Sequence, residues 1–261
     1  MMNYASNITP LILTYNEAPN LQRVLERLTW AKQILIIDSG STDETLAIAA
    51  TFPQVRVIQR PFDSFAEQCN FGLQHIDTEW VLSLDADYVL DAELEAFLQN
   101  FALSTHPEAG FEVRFKYAIY GKPLRGTLYP KRKVLYRRTL AQYLNDGHSH
   151  KVQITGSIGL LPGYIHHDDR KSLSRWLWAQ DRYVQQEIAK FQSSDRGPSR
   201  FNDWVRKQIV LAPFVVFFYC LILKGGILDG WRGWYYAFQR MLAELLLTLH
   251  LLEEKMGRKQ E

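Results

Sequence analysis

Asp85-Ala86-Asp87 is the strongest chemical signal in this chain of 261 residues. It directly follows the apolar run Trp80–Leu84, so two carboxylates stand at alternate positions just past a buried strand. Oxygen ligands of this kind select a hard divalent cation, Mg²⁺ or Mn²⁺. A cation held there can neutralise the diphosphate of a nucleotide leaving group as a Lewis acid. An Asp-x-Asp pair alone is common in loops, and its weight here comes from its company. Glu17 and Asp38 also fall at or just beyond the ends of apolar runs. Two further clusters carry titratable groups, Asn145-Asp146-Gly147-His148-Ser149-His150 and His166-His167-Asp168-Asp169-Arg170-Lys171. The sequence has no Gly-rich phosphate loop, no HExxH, no GxSxG and no internal repeat. Its two cysteines, Cys69 and Cys220, lie far apart, which excludes a disulfide scaffold or a Cys-rich metal site and fits a reducing compartment.

The elements that must position these groups read as an alternation. Ile8–Thr14 is a short buried strand, and Asn20–Trp30 carries Leu21, Val24, Leu25 and Leu28 at helical spacing. Gln33–Ile37 is the next strand, ending at Asp38. Ser41-Thr42-Asp43-Glu44 has the form of a capping box with Ser41 as N-cap, and predicts a helix to about Phe52 that Pro53 stops. A strand at Val55–Ile58, a helix at Phe65–Ile76, a strand at Trp80–Leu84 and a helix at Asp91–Phe101 follow. Such alternation implies parallel strands with right-handed crossovers. Ligands of these sheets bind outside the carboxyl ends of the strands, where the acids fall. Beyond Ala109 the pattern changes to strands at Gly110–Tyr120, Val134–Arg138 and Val152–Gly156. Helix returns over Ser172–Phe191, and a linker around Gly197-Pro198 spans Ser193–Asn202.

Charge is segregated along the chain. The formal net charge is +2, yet residues 1–110 hold 5 basic and 15 acidic side chains and residues 111–151 hold 10 basic and 2 acidic. An acidic half accepts phosphate only with a cation between them, whereas a basic middle suits an anionic partner. With 47% hydrophobic and 22% charged residues the chain is not a disordered one. Met1–Pro10 has neither a basic flank nor a long apolar run, so no cleaved secretory signal is expected. Ile209–Leu223 is uncharged but shorter than the ~20 residues that span a bilayer. Lys224-Gly225-Gly226 breaks it, Trp231, Trp234, Tyr235 and Tyr236 follow beside Arg232 and Arg240, and Met241–Leu252 is again apolar. Clustered Trp and Tyr with flanking Arg is the chemistry of a membrane interface. Residues 209–252 are therefore expected to meet a membrane surface, the alternative being an ordinary helical hairpin.

Three motifs, Thr14-Tyr15-Asn16-Glu17, Asp38-Ser39-Gly40-Ser41-Thr42-Asp43 and Asp85-Ala86-Asp87, resemble in order and spacing the signatures of glycosyltransferase family 2. The resemblance covers residues 7–170. The chain is similar in particular to the bacterial branch that includes lipopolysaccharide-core glycosyltransferases, where a hydrophobic tail like Lys224–Trp231 is common. The resemblance implies an α/β fold of GT-A type. A nucleotide-sugar-binding domain over residues 1–192, with a mostly parallel central sheet flanked by helices, would precede a helical, membrane-associating region over residues 193–261. It also implies a nucleotide-sugar donor and inversion at the anomeric carbon.

Carried over residue by residue, the resemblance puts Thr14 and Glu17 on the nucleoside pocket, Asp38 on the base (uracil), and Asp43 near the ribose. Asp85 would approach the ribose and sugar, and Asp87 would bind the metal. Asp146 matches the place of the catalytic base, with His148 as second choice, although Asn-Asp stands here instead of the family's commoner Glu-Asp. His167, with His166 as alternate, matches a further metal ligand, and Arg170 and Lys171 would hold the diphosphate. Gln68 and Asn70 lie where the family often contacts the nucleotide. Plain structural roles compete for several of these residues. Asp38 and Asn145-Asp146-Gly147 suit turns, and Asp43, Asp168 and Asp169 suit helix starts.

The expected protein is a metal-dependent, inverting glycosyltransferase at the cytoplasmic face of the bacterial inner membrane. It would use Mg²⁺ or Mn²⁺ and a UDP-sugar. Its acceptor would be a hydroxyl of a membrane-associated glycolipid, saccharide or lipopolysaccharide core whose phosphates meet Arg125, Lys131, Arg132 and Lys133, with no role for nucleic acid. The rival readings are a polyprenyl-phosphate glycosyltransferase, a nucleotidyltransferase and a non-catalytic nucleotide-sugar-binding membrane protein.

Overall fold

The structure is a computed structural model and describes residues 7–101, 106–146, 149–180, 184 and 211–257. The chain forms two units, one of Met1–Pro123 with Tyr129–Arg170 and the other of Leu124–Leu128 with Lys171–Glu261. The division thus falls between Arg170 and Lys171, whereas the expected boundary at 192/193 lies outside the described residues.

The first unit runs β1 (Ile8–Thr14), α1 (Leu21–Glu26), β2 (Ile34–Asp38), α2 (Thr45–Ala50), β3 (Val55–Gln59), α3 (Phe65–Gln74), β4 (Trp80–Asp85), β5 (Tyr88–Leu90) and α4 (Ala92–Gln99). It continues with β6 (Gly110–Ile119), β7 (Lys122–Pro123), β8 (Arg132–Arg137), β9 (Ala141–Asp146), β10 (Ser149–Ile154) and β11 (Ile158–His167). Every residue of β2 is buried, because the sheet is covered on both faces and alternate side chains serve two cores. Ile34 and Ile36 join Ile12, Leu25 and Leu82 on one side, while Leu35 and Ile37 join Leu11, Val81 and the α3 residues Ala66, Cys69 and Leu73 on the other.

The strand order is β3-β2-β1-β4-β8-β6-β11-β5, with β7 beside β6. The pairs β2–β3, β1–β2, β1–β4 and β6–β11 are parallel, and β4–β8, β6–β8, β6–β7 and β5–β11 are antiparallel. The sheet is therefore mixed, not mostly parallel. Helical crossovers join the strands only up to β4 and again through α4; after β6 the chain returns by turns and β8 enters reversed.

The sheet must also curl. Asp85 ends β4 and Tyr88 begins β5, yet the two strands stand four places apart in the order. Four flat spacings would need about 19 Å, whereas three peptide steps reach at most about 11 Å. The curl brings the β5–β11 edge back to the carboxyl end of β4, and Asp85-Ala86-Asp87 is the joint. Outside this sheet, β9 and β10 form a separate antiparallel hairpin with Asp146 opposite Ser149.

In the second unit, residues 173–180 are helical (α5). Ala212–Phe218 (α6) leads through a π-helical turn at Tyr219–Leu223 and a 3₁₀ turn at Gly226–Asp229 into α7, Trp231–Gly257. α7 buries Tyr236, Ala237, Leu247 and also Glu244 and Thr248. Among the described residues no helix is long and apolar enough to cross a membrane.

Candidate active site

The loops after β1 and β2 are locked by side-chain hydrogen bonds. Asp38 is fully buried. One of its oxygens accepts the Gly40 and Ser41 amides at 3.0 and 2.9 Å, and the other accepts the Thr14 and Ser41 hydroxyls at 2.7 and 2.6 Å. The buried Thr14 and Asp38 thus build the floor of this loop pair. Asn16 adopts a left-handed φ of 54°, which an Asn tolerates. Its Oδ1 accepts the Thr42 amide at 2.8 Å, and its own amide donates to the Ser41 hydroxyl at 2.8 Å. Ser41 is therefore not the cap of α2, because Asp38 and Asn16 already engage its hydroxyl. The helix starts later, at Thr45, and Glu44 at its N-cap makes no side-chain capping bond. Asp43 takes the start-of-helix role: it accepts the Thr45 amide at 3.0 Å and the Ala18 amide at 3.2 Å. Desolvation would raise its carboxyl, but the hydrogen bond from the Thr45 hydroxyl, and then those from the Thr45 and Ala18 amides, outweigh it and hold the carboxyl below its usual value.

Glu17 is tied to a second network that local sequence patterns do not reveal. Its amide donates to the Thr45 hydroxyl at 2.7 Å, and its carboxylate accepts from Asn20 at 3.0 Å. Asn20 is fully buried. It also donates to Asp169 at 2.9 Å and accepts from Arg23 and from the Arg170 amide at 3.1 and 2.9 Å. All of its amide capacity is used. The buried Asp168 accepts from the Gly121 amide at 3.1 Å and from Arg170 Nε and Nη2 at 3.0 and 2.8 Å, with Arg23 Nε at 3.5 Å. Asp168 and Asp169 follow the end of β11 and do not start a helix, and the Arg170 guanidinium is engaged by Asp168. Lys171 opens the other unit.

At the joint of the curl the arrangement differs. His167 Nε2 lies 2.8 Å from Asp87 Oδ2, and the Asp168 amide donates to the Asp87 carbonyl at 3.0 Å. Strand alternation turns His166 to the opposite face from His167. The rings of Tyr88, Tyr117 and Tyr129 stand edge-on around His167 at 5.5, 4.8 and 5.1 Å. His167 Nδ1 is buried without a partner, so Nε2 is the ring's only engaged nitrogen. Burial alone would lower the His167 pKa, but the charge and hydrogen bond of Asp87 outweigh it and raise it. Among the described residues the Asp85 side chain makes no hydrogen bond or ion pair. Burial first, and then the Asp85 charge, push the Tyr88 phenol well above its usual value, so it stays protonated; its hydroxyl meets that of Tyr129 at 2.6 Å. Arg132, exposed, stacks its guanidinium on Tyr129 at 5.0 Å from the ring centre. Desolvation opposes its charge, but the Tyr88 and Tyr129 phenols and then the Asp85 and Asp87 carboxylates outweigh it and raise its pKa.

A carboxylate oxygen and an imidazole nitrogen that converge in this way fit two positions of a divalent-cation site. Among the described residues no group of three or more His, Cys, Asp or Glu could hold a metal. A cation at Asp87 and His167 would complete its shell with phosphate oxygens and water, the usual manner for Mg²⁺ at nucleotides.

The β9–β10 hairpin is tethered to the same strand. Asn70 on α3 donates to the Tyr143 carbonyl at 3.0 Å and accepts its amide at 2.9 Å, pairing with β9 as a strand edge would. The Tyr143 hydroxyl donates to Ser83 on β4 at 2.8 Å. Asn70 is thus a scaffold residue, as is the buried Gln68, whose amide spans Ser39 and Arg60. Asp146 closes β9 at the hairpin tip; its side chain, and His148 altogether, lie outside the described residues.

Comparison with known proteins identifies the family and the fold. The model of glycosyl transferase family 2 matches residues 11–147, just over half of the chain. An uncharacterized glycosyltransferase of Rickettsia felis is 24% identical over 95% of this chain and 92% of its own length. The lipopolysaccharide core biosynthesis glycosyltransferase LpsC of Rhizobium meliloti is 29% identical over 52% of this chain and 53% of its own. Among solved structures, the mannosyltransferase PcManGT of Pyrobaculum calidifontis in complex with GDP-Man and Mn²⁺ aligns with a TM-score of 0.52 at 15% identity, covering 95% of this chain and 88% of that one. That likeness shows the fold, an α/β architecture of GT-A type with a mixed, curled sheet. With the family model spanning β1 to the β9–β10 hairpin, the chain belongs to glycosyl transferase family 2 and is a glycosyltransferase.

Proposed function

We propose that the chain moves a sugar from a UDP-sugar, with inversion, to a hydroxyl of a membrane-associated glycolipid or lipopolysaccharide-core acceptor at the cytoplasmic face of a bacterial inner membrane. The observation that carries the reading is the 2.8 Å approach of His167 Nε2 to Asp87 Oδ2 at the joint of the curled sheet. Asp87 and His167 would hold Mn²⁺ or Mg²⁺, which would supply charge neutralisation for a diphosphate leaving group. Arg132, standing on Tyr129, meets the phosphate oxygens from the open side with a planar, permanently charged group. Asp85, whose side chain has no hydrogen-bonding partner among the described residues, accepts from ribose or sugar hydroxyls. Thr14 and Asp38 shape the base pocket from beneath, and Glu17 flanks it. Asp146, with His148 as the second candidate, takes the proton of the acceptor hydroxyl, since inversion requires one base opposite the leaving group. The GDP-Man and Mn²⁺ of PcManGT support a nucleotide-diphosphate sugar and a cation. The function printed in the name of LpsC supports a lipopolysaccharide-core acceptor.

The test incubates the full chain with a panel of UDP- and GDP-sugars and truncated lipopolysaccharide acceptors, with Mn²⁺ or with EDTA. Cation-dependent release of UDP with extension of the saccharide is expected. Glycosylation of a polyprenyl phosphate instead, or formation of a nucleotide-sugar from a nucleoside triphosphate, would overturn the acceptor and reaction assignments respectively.

A further inference from the structure

The turn between α6 and α7 presents apolar side chains to solvent. Leu223 is 77% exposed, Leu228 68% and Trp231 87%, with Ile222 and Ile227 also exposed. The turn itself is built from backbone contact. A Cβ on Gly226 would lie 2.7 Å from the Cys220 carbonyl oxygen, one on Gly126 2.8 Å from the same oxygen, and one on Gly233 would overlap the Gly226 carbonyl. Glycines stitch the turn together from inside, so the Leu, Ile and Trp side chains are not needed to pack it. This leaves a contiguous apolar apex of the kind that marks an interaction surface.

The charges around the apex indicate what covers it. Its one carboxylate, Asp229, is turned inward: it accepts the Arg125 amide at 2.8 Å and lies 3.8 Å from the Arg125 guanidinium. The outward charge is cationic, from Lys224, exposed beside the Tyr219 ring at 5.6 Å, and from the exposed side of Arg125. A second copy docked apex to apex would set Lys224 against Lys224 across a twofold axis. An anionic lipid surface matches both the cations and the exposed Trp. The α6 helix and its π turn are too short to span a bilayer, and among the described residues no helix is apolar enough to do so.

We infer that the Tyr219–Trp231 apex dips into one leaflet of an anionic membrane as a monotopic anchor, with Leu223, Leu228 and Trp231 among the acyl chains and Lys224 and Arg125 at the headgroups. The inference rests on the second unit alone and is independent of the donor chemistry. The test floats the full chain with vesicles of phosphatidylethanolamine and phosphatidylglycerol, and with vesicles of phosphatidylcholine. Wild type is expected to float with the anionic vesicles. The double variant Leu223→Glu with Leu228→Glu should lose at least about tenfold of that binding, since it removes two buried leucines from lipid. Lys224→Glu should weaken binding to anionic vesicles more than to phosphatidylcholine, and Asp87→Ala should float as wild type does. The exposed positions tolerate substitution, and a thermal unfolding midpoint unchanged from wild type checks that the double variant is folded. A wild type that stays with the soluble fraction, or a double variant that floats undiminished, would overturn the anchor. So would a wild-type dimer without vesicle binding that the double variant splits, which would assign the apex to a second copy.

Discussion

Two regions at the carboxyl ends of the same sheet treat their carboxylates in opposite ways. After β1 and β2, Asp38 has four donors and no accessible surface, and Asp43 is consumed by α2 and the Ala18 amide. At the β4–β5–β11 joint, among the described residues, the Asp85 side chain has no hydrogen-bonding partner and the Asp87 side chain meets only His167. A carboxylate whose lone pairs are all taken holds architecture, whereas one left open beside an imidazole and a guanidinium can do chemistry. Acidic residues that look equivalent as strand-end motifs are thereby sorted by their donors, and the family resemblance alone does not sort them.

Substitutions can break this contrast, and the largest effect is expected at the joint. Asp87→Ala should reduce kcat/KM for transfer by at least about a thousandfold, from the loss of charge stabilisation on the leaving group, with the thermal midpoint little changed. Asp168→Ala should do the reverse. It leaves Arg23 and Arg170 without their shared carboxylate, so denaturant unfolding should show a loss of about 3 kcal/mol, while the protein that remains folded still binds metal. Asn20→Ala strands several partners of one buried amide and should cost about 2 kcal/mol by the same measurement. Arg132→Ala should raise the KM for donor about tenfold, as expected for a charge-assisted phosphate contact, without moving the unfolding midpoint. The smallest effect concerns Cys69, which lies beneath the joint. Burial and the nearby Asp85 push its thiol far above the usual range, so Ellman's reagent should not label it in native protein. Asp168→Ala should speed that labelling, and Asp87→Ala should not.

The strands that carry Thr14, Asp38 and Asp85 were legible because each is an apolar run ended by a polar residue. The curl was not. β5 is three residues long, and β11 contains Pro162-Gly163 with a register shift between Leu160 and Tyr164, which erases the period of two. Without β5 and β11 the sheet reads as parallel, and His167 reads as loop. A metal-ligand role for His167, with His166 as alternate, is expected through resemblance only, and the structure adds the strand register that turns His167 and not His166 toward Asp87. Asn20 and Arg23 carry no local signal of their pairings, and Asp168 reads locally as a helix start, because these contacts join positions some 145 residues apart; the Asn that ends Glu17-Ala18-Pro19-Asn20, three residues after the motif acid, is the available signal. Ser41 shows the converse: its local pattern is a good capping box, but Asp38 and Asn16 engage its hydroxyl in the folded chain.

The contrast between the two regions is tested most directly by calorimetric titration of a UDP-sugar into the wild type, Asp87→Ala and His167→Ala, each with Mn²⁺ and with EDTA. Binding is expected to need the cation in the wild type and to weaken at least about tenfold in both variants, as for loss of a metal ligand. Equal affinity in EDTA, with neither substitution having any effect, would contradict the assignment of Asp87 and His167 to the cation and diphosphate.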